Sequence, residues 1–253
     1  MAPDLEPPKA AGPLDEATLE RLADAVAVLN PQPRGRRWVS LSLCIADAVW
    51  SIGANYDTVV VPVVRKLAAK LGVDQPTIAA TDPVSDDPLP VTRLAELSID
   101  ELTALTNRQR TSTRGGILKA DAVLRHTETF AGHGVTTMAG AIDLFTVTDR
   151  FDALDNALRS IPGEGSEGVR RGYLWMLIGQ EDLIKPDRMV LRFLAHHGVS
   201  ADPSSARRIV MQLVPELSER LGRDVTPWEI DHAMWNAGRA MKQRRRRSTQ
   251  RGA

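Results

Sequence analysis

Cysteine is almost absent: Cys44 is the single one in 253 residues, so no disulfide can form within the chain, and such usage fits a reducing cytoplasm. Set in an apolar run, Cys44 reads as a small buried hydrophobe rather than a reactive thiol. No apolar run approaches the ~18 residues that a membrane-spanning helix needs. The proline- and acid-rich N-terminus is not a secretory signal. Aromatic residues make up 4% of the chain, with two Tyr and four Phe, so an aromatic sandwich around a ligand has few candidates. The five histidines, His126, His133, His196, His197 and His232, show no metal-ligand spacing with acids or cysteine, and no metal site is predicted. Net charge is zero, with 32 basic and 32 acidic residues, which argues against a broad electrostatic footprint for nucleic acid. Lysine is missing from residue 120 to residue 184.

What is present is an ordinary globular composition, 43% hydrophobic and 25% charged, in a chain long enough for one large domain or two small lobes. Charge is unevenly placed. The N-terminal end is acidic, whereas Lys242, Arg244 to Arg247 and Arg251 carry no acid among them. The basic tail, 244–253, either neutralises phosphates or is a solvated end that touches nothing. Residues 1–14, rich in Pro and Ala, are predicted to be a disordered leader. Asp15 to Leu29 reads as a helix, Pro31 to Arg37 as a basic loop, and Trp38 to Trp50 as a buried helix without clean alternation. Asp57 to Leu71 continues helical with Pro62 near a helix start, and the proline- and aspartate-rich Asp74 to Pro90 is predicted to be a loop. Ser98-Ile99-Asp100-Glu101 and Thr226-Pro227-Trp228-Glu229 are capping boxes, each opening a helix. Lys119 to Phe130, Thr137 to Leu144 and Phe151 to Ser160 complete the helical segments, and the fold class predicted is all-α.

The most specific stretch is Ile161-Pro162-Gly163-Glu164-Gly165. It breaks one helix and allows positive φ, after which Ser166 can cap a second helix with Val169, Tyr173, Met176 and Leu177 at helical spacing. A glycine turn opening a helix offers backbone N–H groups and a positive dipole end to a phosphate, which holds a nucleic-acid backbone without reading sequence. Further on, Lys185-Pro186-Asp187-Arg188 places a lone Asp at the start of a third helix. A carboxylate there is either a plain cap or a charge available to chemistry, since the helix dipole favours a negative charge at that end.

The hairpin, the Asp187-x-x-Val190-x-Arg192 segment, Gly115 to Ala120, Ala48 to Val59, and His232 through Gly238-Arg239 fall in the order of motifs found in helix-hairpin-helix (HhH-GPD) DNA glycosylases. Over roughly residues 40 to 240 the chain resembles that superfamily, in its endonuclease III-like branch. The resemblance implies a two-lobed helical fold with double-stranded DNA in the cleft between lobes. One lobe would be 46–180, with the helix-hairpin-helix at 151–179; 15–45 plus 181–243 would form the other. It implies DNA contacts from Gly163, Gly165, Ser166, Lys119, Lys185 and Arg192, and a base pocket at Trp50, Asn55 and Tyr56. Read from its apolar surroundings alone, Trp50 is core packing rather than pocket. Gly53 stands where the branch carries a side chain that fills the gap left by an extruded base.

Asp187 would stabilise the oxocarbenium charge of glycosidic cleavage. Bifunctional members carry a lysine just after the hairpin; the matching residue here is Glu167, so no Schiff base forms at that position. With one cysteine the branch's iron–sulfur cluster cannot form, and the resemblance leaves only a monovalent cation at the hairpin as a cofactor. The reading is a monomeric, cytoplasmic, nucleoid-associated base-excision glycosylase. Two alternatives stand beside it: a DNA-binding relative without catalysis, consistent with Gly53 and Glu167, and a helical interaction protein without a DNA role, consistent with zero net charge.

Overall fold

A computed structural model describes residues 14–84, 86–164 and 168–251, with side chains as far as Met241. The helices are α1 Glu16–Ala27, α2 Leu41–Trp50, α3 Val61–Lys70, α4 Val91–Ala95, α5 Ile99–Leu105, α6 Lys119–Gly132, α7 Met138–Asp143, α8 Thr148–Leu158, α9 Val169–Ile178, α10 Arg188–His196, α11 Pro203–Leu221 and α12 Pro227–Arg251. Two short strands, β1 Arg36–Trp38 and β2 Thr77–Ala79, pair antiparallel with Arg36 opposite Ala79. The all-α reading holds, but the basic loop 31–37 gives up Arg36 and Arg37 to this ribbon, the segment read as a buried helix gives up Trp38 and starts its helix at Leu41, and the loop 74–90 gives up Thr77–Ala79. A three-residue strand is too short to show alternation in sequence.

Cap chemistry sets many of the helix starts. Ser98 accepts from Glu101 N–H while the Glu101 carboxylate accepts from Ser98 N–H, closing the capping box that opens α5. Thr226 and Glu229 repeat the arrangement before α12, with Pro227 at its first position. Asp15 caps α1 and Asp202 caps α11 through their side-chain oxygens. Helix α3 is entered through a π turn at Tyr56–Val60, where Val60 N–H reaches back to Asn55 O. Pro62 has no N–H for the next helical bond, which favours the widened turn before it.

The chain forms two compact units. Its ends, Met1–Pro33 and Ile184–Ala253, make one, and Arg34–Leu183 the other. The boundaries predicted at 45/46 and 180/181 therefore move to 33/34 and 183/184. The reason is packing: every residue of α2 is buried in the central unit's core, so Leu41 to Ile45 cannot belong to the terminal unit. Arg34 is likewise bound to Glu181 at 3.0 Å and to Met176 O at 2.7 Å, both within the central unit.

In the terminal unit, α1 packs on α11, and α10 and α11 on α12, around Leu22, Val26, Phe193, Ile209, Leu213 and Met234. Leu14, predicted to be the end of the leader, packs against this core, and its N–H reaches Gln212 Oε1 at 3.4 Å. The leader before Leu14 and the side chains of the basic tail 244–253 lie outside the described residues. In the central unit, α2 packs against α6 and α9 around Trp50, Phe130 and Trp175. No helix among the described residues is long and apolar enough to cross a membrane.

Candidate functional site

Asp187 sits in extended backbone as the N-cap of α10. Its N–H donates to Lys185 O at 2.6 Å, closing a tight turn about Pro186, whose ring fixes φ. One carboxylate oxygen, Oδ1, accepts from Met189 N–H at 2.6 Å and the other, Oδ2, from Trp235 Nε1–H at 3.1 Å. The carboxylate is thus fixed from two directions, while ionised oxygens keep lone pairs for further partners. Asp231, one helical turn before Trp235 on α12, is 5% exposed, and its Oδ1 accepts from Lys185 N–H at 3.1 Å. Burial, and then the neighbouring Asp187 charge, push the Asp231 carboxyl well above the usual range. The two helices meet closely at Gly238, where a Cβ would collide with the Met189 carbonyl. Arg192 closes the contact by donating to Gly238 O at 3.0 Å. Predicted to hold DNA, Arg192 is engaged in bracing α10 to α12.

Beside Asp187 lies a column of planar groups along α12. Trp228 and His232 stack with ring centroids 4.8 Å apart and an interplanar angle of 11°. His232 and Trp235 follow at 6.2 Å and 17°, and the Arg239 guanidinium lies 4.4 Å from the centre of the Trp235 ring. His232 is exposed; the other three are half-buried. Helical repetition makes the column, since residues 228, 232, 235 and 239 fall on one stripe. Trp228, Trp235 and Asp231 were not among the site residues expected from sequence, although this spacing is a signal that could have found the two tryptophans.

In the central unit the predicted site residues have other duties. Trp50 is fully buried and donates to Asn107 Oδ1 at 3.1 Å, so it is core and not the wall of a base pocket. Asn55 is exposed and caps the π turn through Thr58 N–H. Tyr56 is half-buried, with its hydroxyl donating to Asp47. Lys119, expected on DNA, is 1% exposed. Its ammonium donates to Trp50 O at 2.9 Å, Ile52 O at 2.7 Å and Gln109 Oε1 at 3.1 Å, satisfying carbonyls at the end of α2 that the helix itself cannot pair. Burial, with the charge of Arg170, pushes Lys119 down to about 8, so it remains charged at neutral pH.

Asp47 organises the neighbouring core. It is fully buried; Oδ2 accepts from Trp38 Nε1–H at 2.8 Å and Tyr56 Oη–H at 2.9 Å, and Oδ1 from Tyr173 Oη–H at 2.9 Å. Burial and the Asp47 charge push both tyrosine hydroxyls above their ordinary range.

The hairpin also lies in the central unit. Gly165, Ser166 and Glu167 lie outside the described residues; α9 begins after Gly168, whose φ is 64°. Gly163 has a φ of 117°, and a Cβ there would lie 2.6 Å from Thr111 Cβ. Gly163→Ala is therefore expected to cost about 2–4 kcal/mol, combining a strained backbone with an overpacked contact. Thermal unfolding checks this; an unchanged melting temperature would contradict it. Glu164 is buried and faces His126 Nε2 at 3.0 Å, while His126 Nδ1–H donates to Ala122 O, so the turn is fastened to α6. Asp155 ties α8 to α9 by accepting from Arg171 Nε–H and Trp175 Nε1–H.

Lys185, Asp187 and Arg192 are thus gathered in the terminal unit, and Trp50, Asn55, Tyr56, Lys119 and Gly163 belong to the central one. Among the described residues no three or more of His, Cys, Asp and Glu come together as a metal site. No curated protein and no solved structure matches the chain. A family model described as a domain of unknown function, DUF8548, matches residues 17–239, which takes in both units, and the chain belongs to that family.

Proposed function

We propose that the protein is a monofunctional DNA base-excision N-glycosylase acting on double-stranded DNA. The observation that carries this reading is the Asp187 carboxylate, fixed between Met189 N–H and Trp235 Nε1–H beside the stacked column of α12. An extruded base is held by stacking among aromatic groups, and the column places three such rings next to a carboxylate. As the N-glycosidic bond breaks, its electron pair leaves with the base and positive charge develops on the sugar, which Asp187 stabilises. Water then bonds to the sugar carbon, and its proton balances the departing base. In this reading the hairpin around Gly163 holds the phosphate backbone. The contacts first assigned to Lys119 and Arg192 pass to other residues, because both side chains are engaged within their own units.

The test is a screen of purified protein against duplexes carrying different modified bases, read with and without alkali. Release of one base is expected to leave an intact strand with an abasic site that breaks only after heat or alkali. Borohydride is not expected to trap protein on DNA, because no lysine occurs from residue 120 to 184 to form a Schiff base. An efficient adduct that disappears in Lys185→Ala would move the reaction to an amine nucleophile at that position. A second reading is favoured by Gly53, which is exposed and has no side chain to fill the gap left by a flipped base. It is a hairpin DNA-binding protein without catalysis, for which the screen would return salt-dependent binding and no base release.

A further inference from the structure

We propose that Asp231 is a positioning residue for Asp187, holding from α12 the Lys185–Pro186–Asp187 turn on which that carboxylate is mounted. The inference rests on the reading of Asp187 as the catalytic carboxylate, but the geometry is independent of it. Asp231 and Trp235 are four residues apart, so they share one face of α12. Trp235 holds the Asp187 carboxylate at 3.1 Å, and Asp231 holds the first N–H of the same turn at 3.1 Å. The turn is closed by Asp187 N–H on Lys185 O, so a hold on Lys185 is transmitted to Asp187 across a single proline.

A buried acceptor serving one backbone N–H does not require an acid; an amide would do. The acid is distinctive because its charge is set by its surroundings. The charged groups facing it are Asp187, from the start of α10, which opposes its ionisation, and Lys185, which favours it. With burial added, the balance keeps the proton on Asp231 to higher pH than an ordinary carboxyl. A neutral Asp231 leaves Asp187 as the one negative charge at the turn. An ionised Asp231 sets a second negative charge beside the first and opposes the fixed geometry. Asp187 function is therefore expected to fail on the alkaline side through Asp231.

The sign for stability follows from proton counts. Between the ordinary carboxyl range and the raised folded value, the folded chain holds one proton more than the unfolded chain. Stability therefore falls as pH rises through that window, and none of this cost is present below it. Asp231→Asn keeps an oxygen for Lys185 N–H and never ionises. Its thermal midpoint is expected to exceed that of the wild type by a margin that widens from about pH 4 upward.

The test uses the full chain with Asp231→Asn, Asp231→Leu and Asp187→Asn. Asp231→Leu removes the acceptor and is expected to lower the kcat of base release about 10–100-fold with duplex affinity within a few fold. Asp231→Asn is expected to recover most of that loss and to move the alkaline limb of the pH profile to higher pH. Carboxyl-carbon NMR titration provides a readout without DNA: the Asp231 midpoint should lie above the ordinary range and fall in Asp187→Asn. If the wild type releases no base from any duplex, the glycosylase reading fails while the titration still decides this proposal. An Asp231 midpoint in the ordinary range, or one that Asp187→Asn leaves unmoved, overturns it. So does full base release by a folded Asp231→Leu protein.

Discussion

Asp187→Asn is expected to lower the kcat of base release about 10²–10³-fold while leaving duplex affinity within a few fold. The size follows from what the substitution removes. Asparagine is as good an N-cap as aspartate, so its amide oxygen can still accept from Met189 N–H and α10 keeps its start. Only the charge is lost, together with one acceptor for Trp235 Nε1–H. An interaction present only as positive charge develops on the sugar appears in kcat and not in binding. Asp187→Ala is a useful companion. It should add about 1 kcal/mol of lost stability from the missing cap, a cost that Asp187→Asn avoids. Single-turnover base release with titrated duplex binding measures both. Full turnover by Asp187→Asn would remove the residue from the chemistry and leave it as a cap alone.

The residues that were legible in sequence are those whose chemistry is local. Ser98 with Glu101 and Thr226 with Glu229 close their boxes over three residues, so their helix starts could be read without any partner elsewhere. Asp187 could be placed at a helix start for the same reason. Lys119 could not be placed, because what buries it is the end of α2, 67 to 69 residues away. A lysine in isolation reads as exposed, and only the folded chain brings carbonyls to all of its protons. Trp50 was left open between core and pocket, and its partner Asn107 is equally remote, 57 residues away. The ribbon of β1 and β2 was hidden because its strands are three residues each and separated by α2 and α3. Asp231 was passed over because an acid early in a helix is common, and nothing in the sequence says that this one faces Lys185 and Asp187.

Asp47→Ala is expected to have the largest effect on stability, about 3 kcal/mol or more, since a buried donor left without its acceptor costs roughly 1–3 kcal/mol. Three donors converge on the one carboxylate: Trp38 Nε1–H from β1, Tyr56 Oη–H from the π turn and Tyr173 Oη–H from α9. Alanine removes every acceptor at once. Burial leaves all three donors dependent on the carboxylate, Trp38 as a buried side chain and the two hydroxyls as buried groups whose titration is already raised. Tyr173→Phe removes one donor and leaves the carboxylate its bonds from Trp38 and Tyr56, so it should cost about 1 kcal/mol. Asp47→Asn should fall between these variants, because it keeps one accepting oxygen and turns an N–H toward a donor. Urea unfolding followed by circular dichroism gives the order: Asp47→Ala weakest, then Asp47→Asn, then Tyr173→Phe. The site bears on function as well as stability. Tyr56 belongs to the loop first assigned to the base pocket, so losing Asp47 should free that loop while Asp187, which belongs to the terminal unit, keeps its cap. An Asp47→Ala protein as stable as the wild type would show that water replaces the carboxylate at all three donors, and the network would then be wet rather than core.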